Sequence, residues 1–333
     1  MKVAINGFGR IGRLVLRSAA ERGMLGKKFD CVAINCTHSP KDIAYLFKYD
    51  SIYGVFEGEV SFDEKHLIVN ERPIPITSER DPKRLPWSAL GIDVVIESTG
   101  AFNDREGAAT HISAGAKKVL ITAPAKNPDV TIVPGVNEKA YNKSAHNIIS
   151  LASCTTNCLA PVAHVLEREF GISSGFMTTV HAYTGDQLLT DSFHDKDVRR
   201  GRAAALSTIP TSTGAAKAIG EVIPSLKGKL DGIALRVPTP TGSVNDLTCV
   251  LKKEADAQTV NSAMKKSALG ELKGILQYTE EPIVSSDIIG NAHSSIFDSS
   301  LTKCLGNLCK TYSWYDNEWG YSCRVADAVC RIL

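Results

Sequence analysis

The sequence predicts an α/β chain of two domains: a doubly wound parallel sheet at the N-terminus, then an α+β unit with a mixed or antiparallel sheet. Three observations carry that expectation. Short β-branched runs alternate with helical periodicities in the N-terminal third, and a glycine cluster closes the first strand and opens the first helix. After about Ser150 strand-like runs outnumber helices. A length of 333 residues also suggests two compact domains rather than one.

Taken in order, Lys2 to Asn6 reads as a strand ending at the glycines. From Ile11 to Arg22 the apolar residues Ile11, Val15 and Ala19 recur at helical spacing, and Gly23 follows as a stop. Cys31–Asn35 (CVAIN), Gly91–Glu97 (GIDVVIE) and Lys118–Thr122 (KVLIT) are further strand-like runs. Strand, helix, strand in that rhythm predicts a parallel sheet covered on both faces. Beyond Ser150, Asn157–Phe170 is a helix with Leu159, Val162, Ala163 and Leu166 on one face. A polar, basic stretch follows from Thr184 to Arg202, then strands at Ile233–Val237, Val244–Leu251 and Thr311–Tyr315. Gly320–Leu333 carries Val325, Ala328, Val329 and Ile332 at helical spacing, an amphipathic helix that must dock somewhere.

Composition narrows the class. Hydrophobic residues make up 43% and charged residues 22%, the balance of a soluble globular protein. No apolar run is long enough for a membrane-spanning helix, and the N-terminal run is too short for a secretory signal. With 38 basic and 36 acidic residues the net charge is +2, so no global field favours nucleic acid or a membrane surface. Nine cysteines without disulfide-framework spacing point to a reducing, cytoplasmic compartment.

Gly7-Phe8-Gly9-Arg10-Ile11-Gly12 is a G-x-G-x-x-G placed after a strand and opening a helix, the pattern of a dinucleotide pyrophosphate site. An acidic residue is expected at the end of the second strand, to bond the ribose 2′-hydroxyl. Here CVAIN runs into Cys36-Thr37-His38-Ser39-Pro40-Lys41, and Asp42 lies further on. Nothing at the strand end repels a 2′-phosphate, and Thr37, His38, Ser39 and Lys41 are potential donors. The expectation is tolerance of, or preference for, NADP. A surface loop whose ribose contacts come from backbone is the other reading.

SLASCTTNCLAP, Ser150 to Pro161, places Cys154 near a helix start with Ser153 able to cap, a setting that favours a thiolate. His181, in TTVHAYTGDQ, is a candidate base of the Cys–His type. Cys158 makes C-x-x-x-C with no second pair, a poor zinc signature, so it reads as packing and no metal is expected. Thr184-Gly185-Asp186, Thr211-Ser212-Thr213-Gly214 and Arg236-Val237-Pro238 could each be solvated turns. Together, with Arg199, Arg200 and Arg202, they suggest a phosphorylated substrate.

The run from INGFGRIGR through ASCTTNCLAP, TTVHAYTGDQ, RRGRAAA, PTSTGAAK, RVPTP and WYDNEWGYS resembles phosphorylating glyceraldehyde-3-phosphate dehydrogenase along essentially the whole chain. The resemblance implies a Rossmann cofactor domain over residues 1–152, to which the helix 318–333 returns, and a catalytic domain over 153–317. It implies a homotetramer that interconverts glyceraldehyde 3-phosphate and 1,3-bisphosphoglycerate with NAD or NADP and inorganic phosphate, through a cysteine thioester. In the family pattern Cys154 matches the nucleophile and His181 the base. Ser153, Thr155, Thr213 and Gly214 match phosphate-site residues, and Thr184, Asp186, Arg200 and Arg236 match others that hold substrate phosphates. Arg10 and Ile11 match the pyrophosphate loop, Arg80 and Thr122 the adenine and ribose contacts, and Asn317 the residue that orients the nicotinamide amide.

Three departures stand out. NAD-specific members usually carry Asp where this chain has Cys36, and commonly Leu-Pro where it has Ser192-Phe193; both changes resemble NADP-accepting biosynthetic members. RVPTP continues as Thr241-Gly242 instead of the common Asn-Val. Erythrose-4-phosphate dehydrogenase shares the first two motifs but tends to lack the TGD and TSTG pattern retained here. A nucleotide-binding redox sensor built on Cys154 and Cys158 is the non-enzymatic alternative.

Overall fold

The computed structural model describes residues 1–195 and 197–332, Ile332 by its backbone alone. Lys196 of the basic stretch, Leu333, and the Ile332 side chain assigned above to the apolar helix face lie outside the described residues. The chain divides into two compact units. One comprises Met1–Ile132, Lys139–Ala152 and the chain from Ser322; the other comprises Val133–Glu138 and Ser153–Tyr321.

The first unit contains β1 (Lys2–Asn6), α1 (Arg10–Glu21), β2 (Asp30–Asn35), α2 (Pro40–Lys48) and a small ladder of β3 (Tyr49–Asp50) with β4 (Gly54–Val55). It continues with β5 (Val60–Phe62), β6 (His66–Val69), β7 (Arg72–Thr77), α3 (Trp87–Leu90) and β8 (Val94–Glu97). Then come α4 (Arg105–Ser113), β9 (Lys118–Ile121), β10 (Val130–Thr131) and β11 (Ile148–Ser150). Nine strands form one sheet in the order β10-β11-β9-β8-β1-β2-β7-β6-β5. Strands β1 and β8 are central, and Val3, Ala4, Ile5, Val94, Val95 and Ile96 are all buried, as parallel strands covered on both faces require.

The sheet is not parallel throughout. β5, β6 and β7 pair antiparallel at one edge. The cause is local: Asn70 and Glu71 both have positive φ (47° and 63°), making a two-residue turn that can only fold the chain back on itself.

The second unit contains α5 (Cys154–Glu169), β12 (Ile172–Ala182), β13 (Ile209–Ser212), α6 (Ala215–Val222), β14 (Leu230–Val237) and β15 (Ser243–Leu251). Next are α7 (Ala257–Leu269), β16 (Leu276–Thr279), β17 (Ser295–Leu305) and β18 (Leu308–Tyr315). Its sheet runs β13-β14-β12-β15-β18-β17-β16, with β12–β14 and β16–β17 parallel and the other pairs antiparallel. α5 packs on β15, β17 and β18. It begins at Cys154, three residues before the periodicity suggests, because Ser153 caps it by accepting from the Thr156 amide at 3.0 Å. The last helix, α8 (Trp319–Ile332), starts in this unit and from Ser322 clusters with the first. There Arg22 donates to the Cys323 carbonyl and pairs with Asp327 at 2.5 Å. Among the described residues no helix is long and apolar enough to cross a membrane.

Candidate active site

β1 ends at Asn6, and the chain turns through Gly7 (φ +89°) into α1. A Cβ on Gly7 would come within 2.7 Å of Thr99, and one on Gly12 within 2.2 Å of the Gly7 carbonyl. A Cβ on Gly9 would meet nothing within 4 Å. Gly7 and Gly12 are therefore demanded by close packing, while Gly9 borders open space at the start of a helix, a cradle that fits a pyrophosphate. The cleft over this turn has a volume of about 490 Å³, within the usual range for a small-molecule site.

Gly7, Gly9, Cys36, Thr37 and Arg80 line that cleft, as do His38, Asp42 and Glu79. Ser39 is engaged elsewhere: its hydroxyl caps α2, accepting from the Asp42 amide and donating to the Asp42 carboxylate at 2.6 Å. Arg10 turns to Asp50 and lies over the Tyr53 ring, and neither it nor Ile11 lines the cleft; Arg13, whose guanidinium donates to the Phe8 carbonyl, does. Thr122 also lies outside the lining, its hydroxyl donating to the Glu97 carbonyl at 3.0 Å.

Beneath the cleft runs a buried polar chain that periodicity and motifs did not reveal. Asn35 donates to Asn6 (2.7 Å), and Asn6 donates to Glu97 (2.6 Å). The Trp87 indole donates to His111 Nδ1 at 3.0 Å, so the other ring nitrogen, 3.0 Å from Glu97, carries the hydrogen. Glu97 also accepts from the amide and hydroxyl of Thr99. Its carboxylate thus fixes two residues of the cleft wall, Asn6 and Thr99.

The chemistry-bearing residues of the second unit converge where α5 begins and β12 ends. Cys154 Sγ lies 3.5 Å from His181 Nε2. Parallel pairing of β12 and β14 puts Arg236 directly opposite His181, and its Nη1 lies 2.7 Å from His181 Nδ1 and 3.0 Å from the Ala182 carbonyl. Burial and the Arg236 charge push His181 down to about 3, so the imidazole is neutral. Burial pushes the Cys154 thiol up, against the pull of Arg236, of the Thr155 side chain and of the Thr155 and Cys154 amides. The helix start does favour the thiolate, but enclosure outweighs it, contrary to the lowered thiol expected from sequence. Tyr315 sets its ring edge-on to His181 and hydrogen-bonds Thr155 and Thr179. Thr155 thus turns its buried hydroxyl to Tyr315.

Around the pair lie further charged and polar groups. Arg200 pairs with Asp186 and reaches the Ser212 carbonyl, just before Thr213 and Gly214. Thr213 Oγ1 accepts from the Ala215 amide at the start of α6, and Gly214 is its N-cap with open space at its Cα. Asp186 and Arg200 both act electrostatically on Arg236. Thr184 anchors the same loop through its amide to Gln187. Asn317 is buried, its side-chain oxygen accepting from Ser243 (2.8 Å) and Thr241 (3.3 Å). The Thr241-Gly242 departure is accommodated: Thr241 also donates to Asp316, and Gly242, at φ +87°, sits where a Cβ would strike the Ser285 carbonyl. Cys158 is wholly buried against Ser295 and Ser313, a packing position.

A half-buried thiol beside a neutral imidazole, with cations and helix amides around it, is equipped for nucleophilic attack on a phosphorylated carbonyl compound. Comparison with known proteins agrees with both units. Residues 1–105 match the family model for the NAD binding domain of glyceraldehyde 3-phosphate dehydrogenase, and residues 153–317 match that for its C-terminal domain. A Geobacillus stearothermophilus protein named glyceraldehyde-3-phosphate dehydrogenase is 54% identical over 333 residues, covering 100% of this chain and 98% of that one. Glyceraldehyde-3-phosphate dehydrogenase 2 of Bacillus subtilis is also 54% identical, covering 100% and 96%. The Borreliella burgdorferi glyceraldehyde-3-phosphate dehydrogenase is 56% identical over 341 residues, covering 100% of both chains. With both domains matched and identity sustained from end to end, this chain belongs to the glyceraldehyde-3-phosphate dehydrogenase family of NAD-binding oxidoreductases.

Proposed function

We propose that this protein oxidises glyceraldehyde 3-phosphate to 1,3-bisphosphoglycerate, and runs the reverse reaction, with Cys154 as nucleophile and His181 as base. The observation that carries the reading is the 3.5 Å approach of Cys154 Sγ to His181 Nε2, backed by Arg236. As the thiol attacks the aldehyde carbon, His181 Nε2 takes its proton, and the hemithioacetal oxygen meets the amides at the start of α5. His181 returns that proton to the hemithioacetal oxygen and takes it back as the carbon gives up hydride and becomes a thioester on Cys154. Inorganic phosphate displaces the sulfur to release the acyl phosphate, and His181 protonates the departing thiolate. General base assistance of this kind is typically worth ~10²–10⁴-fold. Thr184, Asp186, Arg200, Arg236, Ser153, Thr155, Thr213 and Gly214 are assigned to the substrate and inorganic phosphates.

Bound NAD or NADP supplies the hydride acceptor. The turn at Gly7, Gly9 and Gly12 would hold the pyrophosphate with Arg10 and Ile11, Arg80 and Thr122 the adenosine side, and Asn317 the nicotinamide amide. NADP is accepted, on the support of Cys36 and Thr37 at the end of β2. The protein is assigned a homotetrameric, cytoplasmic state; Leu189, Phe193, Val198 and Leu206, all more than 80% exposed in one segment, suit burial against a second copy. Its nine free thiols suit a reducing compartment.

Steady-state reduction of NAD and NADP with glyceraldehyde 3-phosphate tests the assignment. The rate should depend on inorganic phosphate, fall by several orders of magnitude in Cys154→Ser, and be slower with erythrose 4-phosphate. A rate indifferent to phosphate, or a Cys154→Ser variant with near-normal kcat, would sink it.

A further inference from the structure

Away from Cys154, β17 and β18 form a hairpin whose register places Cys304 directly opposite Cys309, with the two sulfurs 3.5 Å apart. The turn between the strands is Gly306-Asn307, with Gly306 at φ +59° in the first central position, as a type II′ hairpin turn prefers. Leu305 and Leu308 flank that turn and form its hydrogen-bonded pair. The next pair, Cys304 and Cys309, is therefore of the non-hydrogen-bonded kind, whose Cα atoms stand about 4.5 Å apart with side chains close together. That spacing falls within the roughly 4.4–6.8 Å that a disulfide spans. Cys249 on β15 faces Cys309 from the other side, but as a hydrogen-bonded pair with wider Cα spacing of about 5.5 Å.

The two thiols differ in access. Cys304 is half-buried beside exposed Leu305, whereas Cys309 is fully enclosed, on the strand face it shares with Ser313, which meets Cys158 of α5. Burial and the neighbouring sulfurs push the Cys309 thiol up, which makes it a poor first nucleophile.

From this juxtaposition we propose that Cys304 and Cys309 are a redox modification site, a dithiol that closes to a cross-strand disulfide by exchange with low-molecular-weight disulfides such as oxidised glutathione. Cys304, as thiolate, attacks one sulfur of the small disulfide and releases the first small thiol, leaving a mixed disulfide on Cys304. The Cys309 sulfur then attacks the Cys304 sulfur, its proton leaving with the second small thiol. Two protein thiols are oxidised and one small disulfide is reduced to two thiols, with no other oxidant required. The site is separate from the nucleophile, and nothing in the proposed reaction uses it.

Lys303 and Lys310 allow a direct test, because trypsin releases both cysteines in one peptide, Cys304–Lys310. The full-length protein would be equilibrated in glutathione buffers of increasing oxidised fraction, quenched in acid, alkylated, digested and read by mass spectrometry. The expected product is the peptide two hydrogens lighter than the dithiol, carrying neither alkyl group nor glutathione and restored by dithiothreitol. In Cys304→Ser that species is lost, and Cys309 is alkylated only after unfolding. Glutathione stable on Cys304 beside a free Cys309 would overturn the proposal. So would a Cys249–Cys309 bridge, or both thiols remaining alkylatable throughout the series.

Discussion

The Arg236 guanidinium lies 2.7 Å from Nδ1 of His181, and the two compete for one carbonyl, that of Ala182. Arg236 only donates. If it donates to Nδ1, the ring hydrogen sits on Nε2 and points at the Cys154 sulfur, the form that stabilises a thiolate. If His181 Nδ1 instead donates to Ala182, Nε2 is a bare acceptor able to take the thiol proton. One arginine thus stands at the choice between the two tautomers that attack and sulfur departure need.

Arg236 also supplies the main nearby charge that lowers the Cys154 thiol. In Arg236→Leu the pH profile for alkylation of Cys154, measured without substrate, should move to higher pH. A shift of one unit slows alkylation at neutral pH on the order of tenfold. Arg236→Lys should recover part of it, because charge rather than shape sets the thiol. An unmoved profile in Arg236→Leu would show that the guanidinium does not act on the sulfur.

Asp129 gives the first unit a pH-dependent stability. Burial opposes its charge, but the Ile148 and Asn147 amides, both at 2.8 Å, and Arg105 outweigh it and hold the carboxyl below its usual 3.8. A depressed folded pKa means that the stabilisation is present above about pH 4 and lost as pH falls through the folded value. Asp129→Asn should therefore cost about 1.5–3 kcal/mol near pH 7, the range for hydrogen bonds to a charged group. Denaturant titrations should show the gap narrowing as pH falls below the usual carboxylate range and through the folded value. A gap that persists unchanged in acid would mean that packing, not charge, holds β11.

Ser243 tests how Asn317 is held. Its wholly buried hydroxyl accepts from the Ala182 amide (3.1 Å) and donates to Asn317 (2.8 Å), so it ties the strand end carrying His181 to the residue assigned to the nicotinamide amide. Ser243→Ala leaves the Ala182 amide unpaired and Asn317 with Thr241 as its remaining donor of the two. Stability should fall by about 1–3 kcal/mol. KM for the cofactor should rise severalfold while KM for inorganic phosphate stays put. A rise in both, or in neither, would remove Ser243 from this role.

How far the sequence could be read follows from which interactions are local. Gly7, Gly9 and Gly12 were legible because their spacing reflects one turn, and Cys154 because a cap precedes it. The edge hairpins of β5 to β7 were not: Val60–Phe62 is largely exposed and Pro73 and Pro75 interrupt β7, so no alternation announces a strand. Arg236 stands out in RVPTP as a candidate anion binder, but its place against His181 comes from parallel strand register, which no window of sequence contains. The chain Asn35–Asn6–Glu97–His111–Trp87 joins residues up to 105 apart, each unremarkable in its own segment. Arg10 shows the converse: its motif position suggests a phosphate, and Asp50 takes the side chain.

The proposed acceptance of NADP rests on charge at the end of β2. Cys36 lines the cleft, and its amide is already bound to the Thr77 carbonyl. Two carboxylates also line the cleft, but neither sits at the end of β2: Asp42 is on α2, accepting from Ser39, and Glu79 follows β7, paired with Arg84 and accepting from the Asp81 amide. Wild-type kcat/KM for NADP should therefore be at least comparable to that for NAD. Cys36→Asp installs an unpartnered carboxylate that can accept from the 2′-hydroxyl of NAD and repels the 2′-phosphate of NADP. A charge a few Å from a dianion at an effective dielectric near 20 contributes on the order of several kcal/mol before screening. Partial exposure reduces this, so the NADP/NAD ratio should fall roughly ten- to a thousandfold, about 1.4–4 kcal/mol. High salt should shrink the shift, because a half-exposed site is screened. Wild-type protein that strongly prefers NAD, with a ratio left flat by Cys36→Asp, would show that backbone groups hold the ribose and that the residue at position 36 does not discriminate.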